Sequence, residues 1–367
     1  MPMTEVNSPE SDTPTVSIGD RIDWRLAATT GRRLARPGPR VTDYTAEQAR
    51  AELADAAVRA EGPVREVTKL ADGLRVPAAR ILERGQWIDA AAQSMQSMLG
   101  AGEAPESAKR PGKSGIGGTV AGKVSGVQAG GLLAFLSGAI LGQYDPFTPD
   151  PDTGDAGVLM LVTPNIIAVE RALKVVPSDF RLWVCLHEVT HRVQFSANPW
   201  LRQYMIDNVS TLTSESGETA SELVTRITSA LRSDKPREKG VIGAMQLLQS
   251  PEQYEAFSRM MMLGTLLEGH ADHVMDAVGP AQVPTVASIR AAFDARRTGP
   301  RNPVQRIIRA LIGMDAKMAQ YIRGKAFVDE VVGTVGMEPF NAIWTNESTM
   351  PLPDEIDEPA KWIKRVL

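Results

Sequence analysis

The stretch PSDFRLWVCLHEVTHRVQFSANP occupies residues 177–199, and its centre is His187-Glu188-Val189-Thr190-His191. Its surroundings predict a helix. Pro177, Ser178 and Asp179 stop the preceding segment, then supply an N-cap oxygen and a negative charge at the positive helix end. Asn198-Pro199 bounds it on the far side. The run Phe180 to Leu186 is apolar almost all round, so this helix belongs in an interior. Two imidazoles four residues apart lie on one face, one turn apart, close enough to share a metal ion. Glu188 between them then sits beside the open coordination position, where a carboxylate takes a proton from water. Two buried histidines satisfied by backbone carbonyls would be the alternative.

All 4 histidines of the chain lie in two clusters, and the second is Leu266-Leu267-Glu268-Gly269-His270-Ala271-Asp272-His273. Ser250-Pro251-Glu252-Gln253 predicts the start of its helix, and Gly279-Pro280 the end. At about 100° per residue, Asp272 returns to within about 40° of Glu268, while His270 points roughly the other way. A zinc hydrolase takes three protein ligands and leaves a fourth position for water. His187, His191 and Glu268 are the expected ligands of one Zn2+ ion. Asp272 is expected to accept the free ring N–H of a liganding histidine. His270, His273 and Tyr204 are candidates for lining the cleft or stabilising an oxyanion; for the two histidines a structural place is the alternative.

These residues carry a family resemblance. HEVTH followed by EGHAD is similar to the Glu-zincins (gluzincins), with HExxH and a later ExxxD. Gln194 stands where the Met-turn group requires Gly. More closely, the chain resembles an actinobacterial family of zincin-like metallopeptidases of type 2, one branch of which is labelled as associated with biosynthesis of coenzyme F420. The matching blocks are IDWRLAATTGRRLARPGP from Ile22, LGQYDPF from Leu141, LVTPNIIAVE from Leu161, DFRLWVCLHEVTHRVQFSANPWL from Asp179 and LLEGHADHVMDAVG from Leu266. The resemblance implies a zincin-like fold around an active-site helix and metal-dependent hydrolysis of a peptide or amide bond, with Glu188 as general base. The alternative function is a catalytically silent binding module connected with deazaflavin (F420) metabolism.

Composition agrees with a soluble cytoplasmic protein. The net charge of −4 and 23% charged residues include no basic stripe that would suggest nucleic acid. The single cysteine, Cys185, excludes an internal disulfide. Residues 1–17 are rich in Ser, Pro, Glu and Thr, have no signal-peptide pattern, and are expected to be a disordered tail. Residues 18–145 are expected to be a helical N-terminal region with a glycine-rich loop at 102–131, able to move over the cleft. Residues 146–367 are expected to be the catalytic region, with a boundary near 142–155 where prolines gather, the alternative being one continuous domain.

Arg32, Arg33, Arg36 and Arg40 around Pro37-Gly38-Pro39 are expected to be a solvated surface feature. The segment Val127 to Gly142 is too short and too interrupted to span a membrane, and small residues at Gly130, Ala134, Gly138 and Gly142 suit a core helix. Gly157 to Thr163 is the clearest strand, expected to edge the cleft and hold an extended peptide. A polar helix at 218–231 and a loop at 233–236 would wall that cleft. The expected fold class is mainly α with a small β component (α+β).

Overall fold

In the computed structural model, the described residues are 19–100, 116–150, 154, 156–214, 249–298 and 314–367. The expected tail, the first part of the glycine-rich loop and the expected cleft wall at 218–236 lie outside them. The architecture is mainly helical with one small sheet. Four helices precede the central strand: α1 (Trp24–Leu34), α2 (Asp43–Thr68), α3 (Arg84–Gly100) and α4 (Ile116–Leu136). After it come α5 (Thr163–Leu173), α6 (Pro177–Ala197), α7 (Trp200–Thr213), α8 (Pro251–Gln282), α9 (Val286–Thr298) and α10 (Met314–Val335), then short C-terminal helices.

The sheet has the order β1-β3-β2, with β1 (Arg80–Leu82) parallel to β3 (Ala156–Val162) and β2 (Gly142–Pro149) antiparallel to it. The central strand is buried on both faces, and period-2 alternation divides its side chains between two cores. Val158, Met160 and Val162 pack with Trp24, Trp87, Ile88 and Leu133 on the α1/α3/α4 side. Leu159 and Leu161 pack on the other side with Phe180, Leu186 and Val189 of α6 and Leu53 and Ala60 of α2. A third core joins α7, α8 and α10 to Phe340, Trp344 and Trp362 near the C-terminus.

Three expectations are corrected. The strand Gly157 to Thr163 is the middle of the sheet, so it is β2, paired only through β3, that forms the edge nearest α6. Residues Gly142–Pro149 are therefore strand instead of a boundary, and Leu53 and Phe180, from the two expected regions, share one core. The glycine-rich stretch is helical from Ile116, because its glycines answer a packing need. A Cβ at Gly126 would lie 2.7 Å from the Asp23 carbonyl oxygen, and one at Gly130 2.6 Å from that of Ala27. The small residues thus let α4 lie directly on α1, and the stripe ends with the helix at Leu136, before Gly138 and Gly142. Among the described residues no helix is long and apolar enough to cross a membrane.

Helix α6 is fixed at both ends by buried charge pairs. Arg181 donates to both carboxylate oxygens of Glu170, at 3.0 and 2.7 Å, and also to Glu52 of α2. Arg192, next to His191, donates to Glu61 of α2 and, at 2.7 Å, to the Pro77 carbonyl. Removing one partner of such a pair strands the other charge, at about 3–5 kcal/mol. Asp179 lies in the first turn of α6, as expected, and also accepts from the Thr285 N–H at 3.0 Å and hydroxyl at 2.7 Å. The expected N-cap oxygen is absent, and Pro177 opens the helix without a side-chain cap. Helix α8 begins as expected, with the reciprocal Ser250–Gln253 capping box. Its regular part ends where Gly279 takes φ 62°.

Candidate metal centre

His187 and His191 project from one face of α6 toward Glu268 of α8. The two imidazole Nε2 atoms are 3.2 Å apart, His187 Nε2 is 3.4 Å from one Glu268 oxygen, and His191 Nε2 is 3.8 Å from the other. Four tetrahedral ligands at zinc bond lengths of about 2.1 Å stand about 3.4 Å from one another. The three separations, the two to Glu268 made through different carboxylate oxygens, bracket that value, so the donor set and its spacing fit a zinc ion. Among the described residues, these three form the group of His, Cys, Asp or Glu whose ligand atoms lie within 4.8 Å of one another. Their side chains are 14–30% exposed, leaving one side of the cluster open.

Glu188, between the two histidines on α6, is 8% exposed. Gly142, at the start of β2, meets it: a Cβ there would stand 2.6 Å from Glu188 Cγ and 3.0 Å from Oε1. Any side chain at that position would push the carboxylate out of place. Burial raises the Glu188 pKa to about 7, with His187 opposing and Glu268 adding to the shift. For His187, burial alone would lower the pKa, but the hydrogen bond and charge of Glu268, with Glu188 and Asp272, push it up to about 9. His191 goes down, chiefly through burial.

The remaining expected residues are arranged differently. Asp272 is near enough to act electrostatically on both His187 and His191, yet it forms an ion pair with Arg290, at 3.8 Å. The acceptor for the free His191 nitrogen is Gln194 Oε1, 2.9 Å from Nδ1. Gln194 was legible only as the residue that excludes the Met-turn pattern. The available signal was its place three positions after His191, on the adjoining face of the same helix.

His270 is fully buried, stacked on Phe340 and edge-on to Trp344, and so lines no cleft. Burial, with the charges of His273 and His191, depresses its pKa to about 3. His273 is held by Asp329 of α10 at 2.7 Å. Tyr204 packs on Trp200 and faces a separate cavity of about 410 Å³, lined also by Met262, Met350 and Leu352. Among the described residues, none of these three belongs to the group formed by His187, His191 and Glu268.

The profile of a zincin-like metallopeptidase family matches residues 22–363. The chain belongs to that family. The solved structure of a protein from Chloroflexus aurantiacus, described as "a putative hydrolase with a novel fold", resembles this zincin-like chain with a TM-score of 0.62 and 30% sequence identity, over 94% of this chain and 98% of that one. Among curated proteins none matches. Membership of that family implies zinc binding, and the His187–His191–Glu268 cluster could hold a metal.

Proposed function

We propose that the protein is a cytoplasmic zinc-dependent hydrolase that cleaves a peptide or amide bond, with Glu188 as its general base. The observation that carries this is the set of three donor-atom separations, 3.2, 3.4 and 3.8 Å, with a buried carboxylate beside them. His187, His191 and Glu268 would hold the ion. When bound, zinc would supply Lewis-acid polarisation of a carbonyl and a lowered pKa for water. Glu188, backed by Gly142, would accept the proton of the attacking water and return it to the leaving amine. The edge strand β2 begins at that carboxylate, so an extended peptide laid along it would pass the reacting groups. The hydrolase description of the Chloroflexus protein supports the same reaction class.

A silent module connected with deazaflavin metabolism would give Glu188 no task, although its burial beside the cluster has a cost that a structural site does not require. The test is zinc content of protein purified without chelator, followed by a screen of peptide and amide substrates. Near-stoichiometric zinc, lost in His187→Ala and Glu268→Ala, with hydrolysis by the wild type, is the expected result. Failure to take up zinc after incubation with it would refute the proposal.

A further inference from the structure

We infer that Gln194 is a positioning residue that sets the tautomer of His191 and takes its own orientation from the helix carrying Glu268. This inference rests on the metal reading above. The Leu267 carbonyl, one residue before Glu268, lies 3.0 Å from Gln194 Nε2, and a carbonyl can only accept. The amide nitrogen must therefore face Leu267, and its second hydrogen falls on His270 Nδ1, 2.9 Å away. The amide oxygen then has one direction left, and His191 Nδ1 is there at 2.9 Å. An amide oxygen can only accept, so His191 carries its proton on Nδ1 and presents the Nε2 lone pair to the cluster.

The same logic puts the proton of neutral His270 on Nε2, an atom buried with no hydrogen-bond partner among the described residues. Burying an N–H without an acceptor destabilises a fold. A phenylalanine or leucine would fill that aromatic pocket without it. The imidazole at 270 thus contributes what an apolar side chain cannot: a second acceptor that holds the Gln194 amide in one orientation. The link also joins the two ligand-bearing helices at the residue next to Glu268, so the histidine tautomer and the helix register are set together.

Two measurements test this. With 4 histidines in the chain, ring-nitrogen NMR of 15N-histidine-labelled, metal-free protein resolves each tautomer once single-histidine variants assign the signals. His191 is expected as the Nδ1–H form and His270 as the Nε2–H form; the opposite tautomer at His191 overturns the proposal. The second measurement is zinc affinity, by competition with a chromophoric chelator, for wild type, Gln194→Met and Gln194→Glu. Gln194→Met, which loses both roles, is expected to bind about 10- to 100-fold more weakly. Gln194→Glu keeps the acceptor for His191 but sets a carboxylate oxygen against the Leu267 carbonyl, so it is expected to keep the Nδ1–H signal and to recover part of that loss. A residue that merely pins α6 to α8 would leave the two variants equally weak, and that outcome overturns the proposal, as would wild-type affinity in both. If Gln194→Met does not fold, the wild-type tautomer and Gln194→Glu still decide. No zinc uptake by the wild type would remove the metal reading and this proposal together, whereas uptake with the wrong tautomer removes only the proposal.

Discussion

At the scale of single residues, the centre is a set of groups whose proton affinities burial and charge have shifted. Glu188→Gln keeps the shape beside Gly142 but cannot accept a proton. It is expected to retain stoichiometric zinc by elemental analysis while hydrolysis falls by about 10²-fold or more; a variant that hydrolyses at the wild-type rate would remove Glu188 from the reaction. In metal-free protein, His187 rises from 6.5 to about 9 and Glu188 from 4.5 to about 7. Both folded forms bind their protons more tightly than the unfolded chain, so both shifts make stability fall as pH rises. The Glu188 contribution is lost between pH 4.5 and about 7, and that of His187 between 6.5 and about 9. Below pH 6.5 the depressed His270, with a pKa of about 3, makes stability rise with pH and offsets Glu188. Thermal melts of metal-free protein are therefore expected to show a declining Tm between about 6.5 and 9. Zinc displaces the His187 proton, so its apparent affinity should climb over the same window. A flat Tm in His187→Ala, against a sloping wild type, would assign the upper part of the effect.

At the scale of elements, what the chain disclosed by itself was local. The two motif helices were legible because capping residues and 3.6-residue periodicity act within one segment, as at Ser250 and Gln253. The order of the sheet was not, since β1 reaches β3 across helices, and Pro146 and Pro149 look like breakers until β3 pairs beside them. Nor did the chain disclose why glycine stands between Glu268 and His270. A Cβ at Gly269 would lie 2.2 Å from the backbone carbon of Gly324, so α8 and α10 touch backbone to backbone next to a ligand. Gly264, five residues earlier on α8, has open space in the same position. The paired prediction is that Gly264→Ala stabilises by roughly 0.5–1 kcal/mol through helix propensity. Gly269→Ala destabilises by about 1–3 kcal/mol or more, since backbone must give way, and weakens zinc binding by moving Glu268. Chemical denaturation of both variants checks the signs, and equal effects would contradict the close crossing.

For the whole molecule, the position of the ligands decides what a metal would do. His187 and His191 stand on α6, which packs into the core with α2 and the sheet and is clamped there through Arg181 and Arg192. Glu268 stands on α8, whose neighbours Leu266 and Leu267 pack into the core with α7, α10 and the C-terminal helices. The Glu268 carboxylate and the two imidazoles are thus brought together by packing from both cores, and the unfolded chain holds no such arrangement. Anything bound to the three groups favours the folded state by mass action, by about 2.7 kcal/mol at a free concentration 100 times Kd and about 4.1 kcal/mol at 1,000 times. Zinc is therefore expected to raise the Tm by several degrees in calorimetry, with a dependence on free zinc that returns the Kd. Chelation should restore the lower value without unfolding the protein at room temperature, because both cores are apolar and complete without it. Glu268→Ala should abolish the concentration dependence as fully as His187→Ala does. If Glu268→Ala kept it, the ion would be held by α6 alone, and the role of α8 in the centre would fall.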